Sequence, residues 1–155
     1  MNKIKILLYT FSLFFLTSCK QWEVPNELIG DWTSEKQIIT IRIKDDNGEF
    51  KFIKDTALLA FSVNENRQVS GKLGTATFQN AEIVKNNGLP PSVTGIEFII
   101  KEIKIGKIST NDPLEQKNIE LWLSPIKNNS LEAEVRYTSN LSQFPMAGML
   151  MKKTK

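Results

Sequence analysis

A regular alternation of apolar and charged residues most constrains the fold of this chain. The segment LEAEVRY at residues 131–137 places Leu, Ala and Val on one side of an extended backbone, and two glutamates and an arginine on the other. A period of two residues is typical of a β-strand that buries one face. No long segment keeps the period of an α-helix, and the sequence contains neither βα alternation nor an internal repeat. The chain is therefore predicted to be all-β.

Other segments show the same alternation, or a short apolar run between turn residues. Predicted strands lie at residues 38–44, 49–52, 69–84 (two strands), 96–105, 119–123, 131–137 and 149–151, and residues 57–63 form either a strand or a short helical turn. The apolar positions change parity between Ile100 and Ile103, which predicts a β-bulge near Lys101 and Glu102. About eight to nine short antiparallel strands predict a barrel or a sandwich.

The segment from Ile38 to Phe52 predicts a β-hairpin. Its centre is Asn47-Gly48, a favoured two-residue turn in which both residues need a positive φ. Such a turn places Ile43 opposite Phe52 on the apolar face. We therefore expect the aromatic side chains of this hairpin to face the interior of the protein.

The first eighteen residues have the layout of a secretory signal. Two lysines, Lys3 and Lys5, precede the apolar run of residues 6–16, and small residues lead to Cys19. A positive start, an apolar core and a small-residue end are typical of a cleaved leader. The apolar core of roughly 11 residues is shorter than the roughly 20 that a membrane-spanning helix needs.

The residues Leu16, Thr17, Ser18 and Cys19 resemble the lipobox of bacterial lipoproteins. The resemblance implies cleavage between Ser18 and Cys19, and acylation of Cys19 as the first residue of the mature chain. Several acyl chains, at about 0.8 kcal/mol per buried methylene, hold a folded domain on a membrane. The resemblance also implies the cell envelope, and Lys20 after the cysteine favours the outer membrane. The alternative is an ordinary cleaved signal followed by an incidental cysteine.

The length of the mature chain suits a single domain, and its composition excludes several chemistries. We expect a signal at residues 1–18, a lipidated tether at 19–26 and one barrel domain at 27–155. Without the leader, 18 basic residues face 17 acidic ones, so no basic surface for nucleic acid is predicted. The chain has no histidine and one cysteine, which excludes histidine-dependent triads, histidine metal sites and an internal disulfide. No cofactor, metal site or catalytic residue is predicted.

Gly30-Asp31-Trp32, at the start of the folded part, resembles the Gly-x-Trp motif that opens the first strand of lipocalins. The resemblance implies an up-and-down antiparallel barrel of about eight to nine strands, in which Trp32 closes the base. Lipocalins also place a basic residue from the last strands on this tryptophan, and Arg136 and Lys152 are the candidates for that role.

Three acidic or glycine-containing segments are candidates for an active site. Asp45, Asp46 and Glu49 flank a turn without the spacing of a calcium loop. Glu132 and Glu134 share one strand face and are expected on a solvated side of the barrel rather than in a glycosidase pair. Gly71–Gly74 lacks the pattern of a phosphate-binding loop. The protein is therefore predicted not to be an enzyme.

Two functions remain open from the sequence. An eight-stranded barrel is just wide enough to hold one small ligand, and a cavity lined by Phe50, Phe52, Phe98 and Trp122 would take an apolar or amphipathic molecule. The alternative is a filled barrel whose outer surface binds an envelope protein, in a structural or inhibitory role. The volume and lining of the cavities separate the two, because ligand sites are apolar spaces of about 300 Å³ or more.

Overall fold

The computed structural model describes residues 22–44, 46–88, 90–138 and 146–155. The predicted cleavage site at Ser18 and Cys19 lies outside these residues, as does Asp45. In chain order the elements are β1 (Gly30–Ser34), β2 (Gln37–Lys44), β3 (Phe50–Ala57), β4 (Leu59–Val63), β5 (Gln68–Leu73), β6 (Ala76–Lys85), α1 (Pro91–Thr94), β7 (Phe98–Ile105), β8 (Lys117–Leu123), β9 (Ser130–Tyr137) and β10 (Ala147–Lys153).

Eight of the strands form a closed antiparallel barrel. Their order around the ring is β1-β10-β9-β8-β7-β6-β5-β4, and β4 pairs back onto β1. Closure leaves no unpaired sheet edge in the ring. The structure confirms the predicted all-β barrel, whereas β2 and β3 form a separate two-stranded sheet outside the ring.

The barrel interior is formed by one continuous hydrophobic cluster to which all eight ring strands contribute. Trp32 is 1 % exposed, and inward-facing residues of β7 and β8 such as Ile100 and Leu121 are fully buried. The predicted bulge in β7 is confirmed. Its pairing with β8 shifts between Ile100 and Ile103, and Glu102 adopts a φ of 61°. The bulge lets isoleucines of opposite parity face the same core.

The barrel has two distinct ends. We call the first the lower end; it contains the N-terminal segment 22–29, the described residues of three connections (64–67, 86–88 with 90–97, and 124–129), and the C-terminus. The opposite end, which we call the hairpin end, contains the turn 74–75, the segment 106–116 and the β2–β3 hairpin. Because the hairpin is inserted between neighbouring ring strands β1 and β4, it begins and ends at the rim of the barrel.

The hairpin lies across the mouth of the barrel at the hairpin end. On one side the amide of Thr40 donates to the Met146 carbonyl at 2.8 Å. On the other side Asn111 Nδ2 donates to the Asp55 carboxylate at 3.3 Å. Ile39 and Ile41 point into the core and are 0 % exposed. The hairpin therefore covers the opening with two isoleucine side chains.

The predicted register of this hairpin is wrong by one residue. Ile43 pairs with Lys51, and Phe52 pairs with Arg42. The predicted turn contains two residues, Asn47 and Gly48, and needs a positive φ at both. Only Gly48 adopts one (80°), and the hairpin instead closes with a five-residue loop between the paired residues Lys44 and Phe50. A shift of one residue moves every side chain to the other face of a strand. Phe52 consequently faces outward and is 61 % exposed.

Candidate functional site

A groove at the hairpin end lies between the hairpin and the barrel rim. Its volume is about 320 Å³. The hairpin forms one wall, the start of β8 with the preceding loop forms the second, and the end of β9 forms the third. The lining residues are Arg42, Ile43, Lys44, Phe50, Leu114, Gln116, Lys117, Asn118, Tyr137 and Thr138. We call this space the rim groove.

Two cations and an aromatic ring are grouped on the hairpin wall of the rim groove. Arg42 and Lys44 lie two residues apart on β2 and share one face of the strand, and Lys44 pairs with Phe50 across the hairpin. The Arg42 guanidinium carbon lies 3.5 Å from the centroid of the Phe50 ring, and Lys44 Nζ lies 5.3 Å from it. Cations over an aromatic face are attracted by its quadrupole. The positive charges are therefore held beside an apolar surface.

A buried ion pair lies behind the opposite wall. Lys117 and Asp112 form a salt bridge with side chains that are 3 % and 0 % exposed. Lys117 Nζ also donates to the carbonyls of Gly106 at 2.9 Å and Leu114 at 3.2 Å. An ammonium has three donors, so Lys117 is fully occupied by protein acceptors. Lys117 therefore shapes the wall of the groove without offering a donor to a ligand.

Tyr137 links the groove to the hairpin. Its phenolic oxygen accepts a hydrogen bond from the backbone amide of Arg42 at 3.3 Å. Burial raises the pKa of Tyr137 to about 12. The phenol therefore remains neutral across the physiological pH range and adds a polar but uncharged group to the wall.

The rim groove combines positive charge with apolar surface. No carboxylate lines it among the described residues, whereas Arg42 and Lys44 carry positive charge at its edge. Ile43, Phe50 and Leu114 offer apolar surface to a hydrocarbon portion. Within the described ranges, no group of three or more acidic or cysteine side chains is arranged to hold a metal ion.

The structure does not bring the four predicted cavity residues together. Phe50 lines the rim groove, and Phe52 projects outward from the hairpin. Phe98 is 3 % exposed in the core, with its ring centroid 5.9 Å from that of Trp22. Trp122 is half-buried on the outer side of the barrel, since its neighbours Leu121 and Leu123 occupy the inner side.

Trp122 belongs to a small polar cluster on the outer barrel wall. Its indole N–H donates to the Glu120 carboxylate at 2.9 Å, and the Arg136 guanidinium carbon lies 4.2 Å from the ring centroid. Arg136 also donates to Glu134 at 2.9 Å. Glu132 is exposed. The glutamates of β9 thus lie on the outer side of the barrel, as the alternation predicts.

The Gly30 and Trp32 motif lies at the lower end, away from the rim groove. The Trp32 indole N–H donates to the Leu28 carbonyl at 2.9 Å. The basic residue over its ring is Lys153, with Nζ 5.9 Å from the centroid, rather than Arg136 or Lys152. Lys153 pairs directly with Trp32 between β1 and β10, whereas Lys152 points outward and Arg136 stacks on Trp122. A side chain added to Gly30 would overlap the backbone oxygen of Lys155.

Sequence reasoning missed Arg42, Lys44, Lys117 and Tyr137 as groove residues. The alternation in β8 could have identified Lys117, because it lies on the same strand face as the inward-facing residues Ile119 and Leu121. A lysine on a buried strand face needs an anionic partner. The other three come together only through the placement of the hairpin on the rim.

Fold and groove define an eight-stranded up-and-down barrel with an inserted hairpin across one end. No protein-family model, curated protein or solved structure matches this chain significantly. Among the residues that the structure describes, no helix has the length and apolar character needed to cross a membrane.

Proposed function

We propose that this chain is a lipid-anchored, non-catalytic, lipocalin-like protein of the cell envelope that binds a small amphipathic anion in the rim groove. The observation that carries the ligand proposal is the pairing of Arg42 and Lys44 with apolar walls in a space of about 320 Å³. Ligand pockets are mostly apolar, with a few placed polar groups that fix orientation. The anionic head would lie at the hairpin cations, and the tail would lie along Phe50 and Leu114.

The anchor part of the proposal is supported by the sequence Leu16 to Cys19. Acylation of Cys19 would hold the barrel on a membrane, and Lys20 favours the outer membrane. Mass spectrometry of the N-terminal peptide from membrane-extracted protein tests this point. We expect a peptide that begins at an acylated Cys19, whereas the Cys19→Ser variant should be recovered in the aqueous fraction. An unmodified Cys19 in the mature protein would refute the anchor.

Three ligands that share a decyl-length tail and differ in the charge of the head group test the binding proposal. Decanoate, decanol and decyltrimethylammonium should be titrated by calorimetry into the chain from residue 19 onward, with Cys19→Ser. We expect decanoate to bind best and the cation worst. Each lost charge-assisted contact is worth about 1.5–3 kcal/mol, so Arg42→Gln and Lys44→Gln should each weaken decanoate about tenfold or more.

The control is Lys54→Gln, because Lys54 is exposed on the same hairpin but does not line the rim groove. It should leave decanoate affinity unchanged. Equal affinity for the three head groups, or an equal loss in all three variants, would refute an anion site in the rim groove.

A second candidate function is protein binding through the outer face of the hairpin. Ile38 and Phe52 are 67 % and 61 % exposed on that face. The two side chains share this face because Phe52 pairs with Arg42, four residues after Ile38 on β2, and exposed apolar side chains on one face offer contact surface to a partner protein. Cross-linking in envelope preparations would test this function. A partner captured by the wild type should be lost with Ile38→Ser/Phe52→Ser and retained with Val93→Ser, which removes an exposed apolar side chain from α1 at the lower end of the barrel.

A further inference from the structure

The N-terminal segment of the described chain is fixed to the lower end of the barrel from its first residue. Trp22 is half-buried against Phe98, and Val24 is 8 % exposed within the core cluster. The Leu28 amide donates to the Pro25 carbonyl at 2.9 Å, and Lys153 Nζ donates to the Glu27 carbonyl at 2.9 Å. Most of the predicted tether at 19–26 is therefore part of the folded domain.

Little chain separates this fixed segment from Cys19. The step from Cys19 to Trp22 covers three residues, which span about 11 Å when fully extended. The polar headgroup layer on one side of a bilayer is about 5–8 Å thick, so three residues cross it with only a few ångströms to spare. A cysteine whose acyl chains enter the bilayer would therefore hold Trp22 close to the membrane surface.

We infer that the lower end of the barrel rests on the bilayer and that the rim groove opens away from it. This inference depends on the proposed acylation of Cys19. The membrane-facing surface then includes the turn at residues 64–67 and helix α1, on which Val93 is 69 % exposed. An exposed valine next to a lipid surface loses contact with water at no cost in hydrogen bonds.

The position of the rim groove follows from the length of the strands. β8 begins at the groove with Lys117 and ends at the lower end with Leu123, so the strand is seven residues long. Seven residues at about 3.3 Å each, tilted by about 40° in a barrel, span roughly 18 Å. The groove therefore opens into the aqueous phase, and a ligand enters it from there rather than from the bilayer below.

Fluorescence quenching by lipid head groups tests this orientation. Because the only natural cysteine would be acylated, a cysteine introduced elsewhere is the only free thiol. Asn66→Cys places a dye at the lower end, and Thr110→Cys places one at the hairpin end; both residues are exposed. In vesicles with spin-labelled head groups, we expect quenching of the Asn66→Cys dye to be several-fold greater than that of the Thr110→Cys dye.

A lengthened tether provides the matched control. A flexible Gly/Ser insertion of about 20 residues between Lys20 and Gln21 gives the domain a reach several times greater. The difference between the two dyes should then largely disappear. Equal quenching of the acylated protein with its natural tether, or stronger quenching at Thr110→Cys, would overturn the orientation alone. Failure to bind vesicles, with Cys19 unmodified by mass spectrometry, would overturn the anchor and the orientation together.

Discussion

Lys117 and Asp112 form an ion pair in which the lysine side chain is 3 % exposed and the aspartate side chain is 0 % exposed. The aspartate also accepts hydrogen bonds from the backbone amides of Ile108 at 2.9 Å and Leu114 at 3.0 Å. These bonds fix the segment 106–116 next to the rim groove. A buried pair is tolerated when its remaining donors and acceptors are satisfied.

Removal of either partner of this ion pair should therefore lower the stability of the fold. We expect Asp112→Ala to lower the free energy of unfolding by about 3–5 kcal/mol, because it leaves the Lys117 ammonium buried without its counter-charge. Urea denaturation measures this change. The control is Lys107→Ala, which breaks the Lys107–Glu115 salt bridge, with side chains 43 % and 81 % exposed; because water screens this pair, the variant should lose much less stability than Asp112→Ala. Similar losses in both variants would show that water solvates the buried pair.

Two isoleucines on opposite faces of β2 test the placement of the hairpin across the barrel mouth. Ile41 is 0 % exposed and belongs to the core cluster, whereas Ile38 is 67 % exposed. Ile41→Ala should cost about 2–5 kcal/mol through lost burial and a cavity. Ile38→Ala should stay within about 0.5 kcal/mol of the wild type. Chemical denaturation of both variants decides the point, and equal effects would contradict a hairpin that inserts only one face into the core.

The phenol of Tyr137 should titrate at unusually high pH. The sequence contains two tyrosines, and the other, Tyr9, lies in the predicted leader. Ultraviolet titration of the chain without its leader therefore reports Tyr137 alone. Burial raises its pKa to about 12, so we expect a midpoint well above the value of about 10 for a denatured chain. A midpoint near 10 would show that the phenol is solvated.

The raised pKa of Tyr137 also predicts how stability depends on pH. Between pH of about 10 and 12 the unfolded phenol loses its proton while the folded one keeps it, so stability falls as pH rises through this window. The wild type should therefore lose more stability across the window than Tyr137→Phe, which removes the titrating group. Parallel losses in the two proteins would assign the effect to other groups.

Two glycines provide a matched test of backbone conformation. Gly74, between β5 and β6, has a φ of 59°, and a Cβ there would overlap the carbonyl oxygen of Ile108. Gly148 on β10 has ordinary strand geometry and open space around the position of a Cβ. Gly74→Ala should cost more than about 1–2 kcal/mol, since the left-handed conformation alone costs that much. Gly148→Ala should be neutral or slightly stabilising by thermal denaturation.

Two features of the ring strands, the bulge in β7 and the outward face of β9, could be predicted from the sequence alone. The parity change between Ile100 and Ile103 predicted the bulge in β7, because both residues must face the same core. The alternation in β9 likewise predicted which residues face outward. The error in the β2–β3 register arose because Asn47-Gly48 is a local signal, whereas the contacts of Ile39 and Ile41 with the barrel are non-local.

The sequence by itself determined the all-β fold class, the inner and outer faces of most ring strands and the candidate lipidation site at Cys19. Period and spacing carry that information, since side chains alternate along any extended strand. Only the tertiary structure decided that β2 and β3 leave the ring and cover its mouth, and that Lys153 lies over Trp32. The rim groove is likewise tertiary, because Arg42, Leu114 and Tyr137 are distant in sequence and meet only when the closed ring brings β8 and β9 beneath the hairpin.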